Sequence, residues 1–138
     1  MLTMLPQLNP FAVFAAFFLY CMLGALWFAV FFKKQYMEAL GWGSDRELPQ
    51  APIFIVGPAI CTLMVTVASA ILLKALNVET FGELLEFTAL VGFGYLVANT
   101  LNIAINPNMP RPIYYTIITG CYHLVGISIA TTILYVMN

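Results

Sequence analysis

Charge is what this chain has least of. Five Lys and Arg, six Asp and Glu and a single histidine are spread over 138 positions, a charged fraction of 8%. Soluble domains carry about 25%, so a soluble globule is excluded. A net charge of −1 with so few cations leaves no basic surface for nucleic acid. Cysteine is scarce as well: Cys21, Cys61 and Cys121 all lie inside apolar runs and none forms a C-x-x-C pair. Neither a disulfide framework nor a thiol metal site is expected from them. There is no paired intramembrane carboxylate, no H-E-x-x-H, no phosphate loop and no Ser or Cys nucleophile with a clear base. The reading is therefore of a protein that is not an enzyme and needs no cofactor or metal.

What the chain has instead is four runs free of charge: Phe11–Phe32, Ile53–Leu73, Phe87–Ile105 and Ile113–Asn138, of 22, 21, 19 and 26 residues. About 20 apolar residues in a helix cross the roughly 30 Å of bilayer hydrocarbon. The fold class expected is all-α, a polytopic antiparallel bundle of four transmembrane helices, with one membrane domain over residues 1–138. Its helices are expected at about 11–32, 53–75, 81–105 and 113–137. The N-terminus lacks a positive region, and its apolar run exceeds the roughly 7–15 residues of a signal sequence, so the first helix is expected to be retained.

Basic residues set the expected orientation. Lys33, Lys34 and Arg46 lie between the first two helices and Arg111 between the last two, against Lys74 alone on the opposite face. Cytoplasmic loops hold the excess of Lys and Arg. That places the loops over 33–52 and 106–112 in the cytoplasm and both termini outside.

Local signals punctuate the helices. Asn9-Pro10 reads as an N-cap followed by a first-turn proline. After Lys33-Lys34, a short amphipathic segment stops at Gly41, and Tyr36 and Trp42 suit an aromatic belt at headgroup depth. Pro58 falls inside the second helix, where it removes a backbone bond and favours a bend. Asn77 suits a helix end, and Thr80-Phe-Gly-Glu83 has capping-box spacing.

One pattern has chemical interest. Tyr95, Asn99, Asn102 and Asn106 recur at i, i+4, i+7 and i+11, on one face of the third helix. The fourth helix carries Thr116, Thr119, Tyr122 and His123. Levels at equal distance from the turn near Met109 set Asn102 beside Thr116, Asn99 beside Thr119 and Tyr95 beside His123. An unpaired amide or imidazole in hydrocarbon costs on the order of several kcal/mol, so these groups are expected to face each other or water. They read either as glue between helices or as a polar passage. His123, the one histidine, suits a proton relay, a metal or haem ligand, or a hydrogen bond to Tyr95 or Tyr122. Cys121 lies two positions away and off its helical face, which weakens a metal site. Small residues four apart (Cys21, Ala25 and Ala29; Gly94 and Ala98; Gly126 and Ala130) mark faces for close helix approach.

Three stretches carry a resemblance. Gly24-Ala-Leu-Trp-Phe28, then Phe32-Lys-Lys-Gln-Tyr-Met-Glu-Ala-Leu-Gly41, and Arg111-Pro112 leading into Ile118-Thr-Gly-Cys-Tyr-His-Leu-Val125 together resemble a small bacterial membrane family. That family is the domain of unknown function numbered seventeen sixty-one, and the resemblance covers nearly the whole chain. Gly24, Trp27, Lys34, Gly41, Tyr122 and His123 match its motif, while Tyr36 stands where a tryptophan is more familiar. The resemblance implies four helices in a bacterial inner membrane and names no activity. Two functions stay open. One is a small oligomeric transporter or channel-like protein, its site between the third and fourth helices lined by Tyr95, Asn99, Asn102, Thr119, Tyr122 and His123. The other is an accessory or assembly subunit packed against a larger membrane complex. The partners expected are the lipid bilayer with either further copies of the chain or that larger complex.

Overall fold

A computed structural model describes residues 2–43, 46, 49 and 51–137, so residues 44, 45, 47, 48 and 50 of the expected 33–52 loop lie outside the described residues. Four helices are long and apolar enough to cross a membrane: Pro10–Phe31, Ile53–Ala75, Phe81–Ala104 and Pro112–Met137. They are called the first to fourth spans here. A short 3-10 helix, Leu2–Gln7, precedes them, a connecting helix, Lys33–Ala39, follows the first, and no strand occurs among the described residues.

The ends of these helices follow from their residues. The Asn9 side chain accepts from the Phe11 and Ala12 amides, and Pro10 fills the first turn. Thr80 and Glu83 form a complete capping box, in which the Glu83 carboxylate accepts from the Thr80 amide at 2.9 Å. Two helices stop on a residue in the left-handed region, Gly41 at φ 71° and Asn77 at φ 53°. In both, the paired bonds of a Schellman motif close the helix: Trp42 N donates to Met37 O and Gly41 N to Glu38 O, Val78 N to Leu73 O and Asn77 N to Lys74 O. Gly41 is required twice over, because a Cβ there would also collide with the Pro110 ring.

Two spans are not uniform α-helix. The first becomes π-helical over Trp27–Phe31 and the third over Leu90–Val97. Phe32 N donates to Trp27 O at 2.8 Å, the i→i+5 bond that defines the wider turn. The second span runs unbroken through Pro58.

The fourth span is the centre of the molecule. Half of its most apolar window is buried, against 11% in the first span and 22% in each of the second and third. Its Gly126, Ala130 and Leu134 meet the first span's Ala12, Ala16 and Tyr20, a row of small residues spaced by four with an aromatic ring at one end. That row serves in place of Cys21, Ala25 and Ala29, of which the two alanines are exposed. The third span packs on the fourth through a different fit. Leu124 fills the space left by Gly92, and Val97 lies over Gly120. A buried hydrogen bond of 2.8 Å joins Thr88 to Thr131.

Both ends of the bundle are tied. At the terminal face, Asn9 donates to Met137 O at 2.8 Å, Lys74 to Gln7 O at 2.9 Å and Tyr135 to Glu79 O at 2.8 Å. At the basic face, Arg111 pairs with Glu38, and Met37 and Ala39 of the connecting helix are fully buried.

Candidate functional site

Three spans bring polar side chains to one depth. Tyr20 is the eleventh of 22 residues in the first span, Thr62 the tenth of 23 in the second and His123 the twelfth of 26 in the fourth. Each therefore sits near the middle of its helix. Between them lies a cavity of about 110 Å³ lined by Tyr20, Pro58, Cys61, Thr62, Val65, Tyr122 and His123.

Glycine makes the cluster possible. A Cβ on Gly126 would fall inside the Tyr20 ring, and a Cβ on Gly24 would press on the Tyr122 hydroxyl at 3.0 Å. Their absence lets each tyrosine lie flat against the facing helix. Tyr20, 2% exposed, then reaches His123, its hydroxyl 3.2 Å from Nδ1 and 3.4 Å from the backbone carbonyl. If the phenol donates to Nδ1, the ring proton is on Nε2. If it donates to the carbonyl, Nδ1–H donates to the phenol oxygen. In both arrangements Nε2 has no partner among the described residues, and His123 is one of the residues that line the cavity. Thr62 interacts through its side chain with Tyr122 and with Cys21.

An aromatic column runs from this cluster to the basic face. Tyr20 and Tyr122 have ring centroids 5.5 Å apart, Tyr122 and Phe28 5.0 Å, Phe28 and Tyr36 4.8 Å, and Tyr36 and Tyr115 5.8 Å. Trp27 flanks it and donates from Nε1 to Ile118 O at 3.2 Å. Tyr36 thus packs between Phe28 and Tyr115 at the end of the column. Burial, with Tyr115 beside it, pushes its phenol up to about 12.

The six residues expected to line a site part company. Thr119, Tyr122 and His123 stay together on the inner side of the fourth span, and the buried Thr119 hydroxyl has no hydrogen-bond partner among the described residues. Tyr95, Asn99 and Asn102 are all exposed on the outward side of the third span, Tyr95 to 73%. The expected pairings do not form. His123 meets Tyr20 in place of Tyr95, and Thr116 donates to the Pro112 carbonyl one turn back in place of Asn102. The polar cluster therefore lies among the first, second and fourth spans, and the third span contributes none of its lining.

The reason is the rotation of the third span about its own axis. Its buried row is Leu84, Thr88, Gly92, Thr100 and Ala104. On an α-helix such a four-residue spacing drifts by about 40° per step, since each residue turns about 100°. The π-helical turns are wider and take back part of that drift, so the row stays on the fourth span. Past Leu84, small and hydroxyl side chains occupy it, and the amides are left on the other side.

Sequence reasoning overlooked Tyr20, Pro58, Cys61 and Thr62 as companions of His123. Tyr20 carried a signal: it is the one tyrosine in the run Phe11–Phe32, and a phenol at mid-span needs a partner. No curated protein and no solved structure matches the chain. The model of a family described as a protein of unknown function, DUF1761, matches residues 11–135. That match covers nearly all of the four spans and every residue of the midplane cluster, and on it the chain belongs to the DUF1761 family.

Proposed function

We propose that this is a small transporter or channel-like membrane protein whose site is the midplane cavity of Tyr20, Thr62, Tyr122 and His123. One observation supports it most: a titratable imidazole at mid-span with Nε2 unpartnered beside a cavity. Ionisable side chains inside a bilayer are costly, and they mark ion and proton pathways. The cavity wall holds no carboxylate, amine or guanidinium, so a fixed charge has no counter-ion there. At about 110 Å³ it is smaller than the about 150 Å³ apolar cavity that admits benzene. The species that fits is a proton carried on water, or a neutral solute of a few heavy atoms. Nε2 accepts or donates toward the cavity while Tyr20 holds the opposite ring nitrogen. The four-to-one excess of Lys and Arg supports loops 33–52 and 106–112 in the cytoplasm of a bacterium, with both termini outside.

The test is flux into liposomes holding the purified protein and a pH-sensitive dye. His123→Gln keeps a polar group and removes the titration, so proton-coupled flux is expected to vanish while the thermal midpoint is retained. Equal flux through wild type and His123→Gln overturns the reading. A second reading, an accessory subunit of a larger membrane complex, starts from the exposed amides of the third span, which call for a partner without naming it.

A further inference from the structure

We infer that the outward face of the third span, over Gly94, Tyr95, Ala98, Asn99 and Asn102, is where a second copy of this chain docks within the bilayer. The inference does not depend on the passage reading, since none of these residues lines the midplane cavity.

Depth makes the face costly as it stands. The third span has 24 residues, at most about 36 Å at the α-helical rise and somewhat less with its π-helical turns, against about 30 Å of hydrocarbon. Asn99 lies about 7 Å and Tyr95 about 13 Å from the Ala104 end, so both are inside the acyl region. Both amides are exposed, and neither Asn99 nor Asn102 hydrogen-bonds a described residue. Asn102, about 3 Å from the same end, sits at the edge of the hydrocarbon, but lipid tails offer Asn99 no donor or acceptor, so something else must.

A second observation points the same way. Gly24, Gly92, Gly120 and Gly126 each have a side chain of another span lying in or against the space a Cβ would take, but a Cβ on Gly94 would meet nothing within 4 Å. Ala98, one turn on, is exposed as well. Among the described residues nothing packs on this small-x-x-x-small step, which is the step that lets two membrane helices approach closely.

The chemistry selects a second copy. A primary amide donates and accepts, so the same stripe placed opposite itself satisfies both roles. The face has no charge between Phe87 and Ile105, so two copies do not repel and no oppositely charged partner is called for. A twofold axis along the membrane normal keeps both copies in one orientation and sets identical patches together.

The test uses single cysteines in a chain whose Cys21, Cys61 and Cys121 are replaced by Ala. In oxidised liposomes, Asn99→Cys and Asn102→Cys are expected to give disulfide-linked dimers, and Ile60→Cys, on the exposed side of the second span, is not. In parallel, Asn99→Leu with Asn102→Leu is expected to weaken dimerisation in liposomes by about tenfold or more, read by single-molecule photobleaching, with helicity unchanged. Wild type monomeric on dilution in lipid, cross-linking at Ile60 equal to that at Asn99, or dimers as tight in the double variant each overturns the inference. So does a different membrane protein captured stoichiometrically at Asn99→Cys in native membranes, which establishes the accessory-subunit reading instead.

Discussion

The midplane cluster and the outward face of the third span both put polar groups into hydrocarbon, and they meet the cost in opposite ways. At the cluster, three spans converge, glycines admit two tyrosine rings, and the imidazole is held by a phenol at 3.2 Å. On the third span, two amides and a tyrosine of similar polarity stand exposed, and Gly94 faces open space. Residue type does not separate the two regions. What separates them is whether another helix of the same chain arrives at that depth. The fourth span packs against all three others and the third chiefly against the fourth, so polar groups on the fourth's inner side become a site and those on the third's outer side become a surface.

Substituting the two contrasted glycines breaks the comparison most sharply. Gly126→Leu forces the Tyr20 ring out of its seat and is expected to lower stability by about 1–3 kcal/mol, the cost of overpacking. Gly94→Leu has room and is expected to leave the monomer's thermal midpoint in detergent unchanged or raised. Equal losses at both positions would erase the distinction between a site and a surface. A smaller effect is expected from Tyr20→Phe, which leaves the ring packing and removes the hydroxyl. The loss of the bond to His123 predicts about 1 kcal/mol, read by chemical unfolding, together with altered proton flux. Least of all is expected from Glu38→Gln at the basic face. Its ion pair with Arg111 joins side chains about half exposed, and such pairs contribute about 0–1 kcal/mol that fades with added salt. A large, salt-insensitive loss there would show that the loops do more than tether the spans.

Helix class, number and much of the local punctuation could be read without coordinates. Asn9 caps, Thr80 and Glu83 form the box, and Gly41 and Asn77 stop their helices, because caps and stops depend on residues a few positions apart. His123 and Tyr122 were legible as polar groups at mid-span that required partners. Their actual partners were not, since Tyr20 is 103 residues away from His123. The third span shows why periodicity misled: a 3.6-residue pattern groups Tyr95, Asn99 and Asn102 on one face without telling which way that face points. The π-helical turns over Leu90–Val97 add a further rotation that no α-helical projection anticipates.

The amino-acid order alone determined that this is a four-span membrane protein and where its helices begin and end, because hydrocarbon demands long uncharged runs and backbone termini demand local caps. Tertiary structure alone decided which polar residues meet and which remain outside. That outcome depends on how Gly92, Gly120 and Gly126 accept side chains from neighbouring spans. Such shape matching between helices is a property of pairs of surfaces, and no single stretch of sequence contains it.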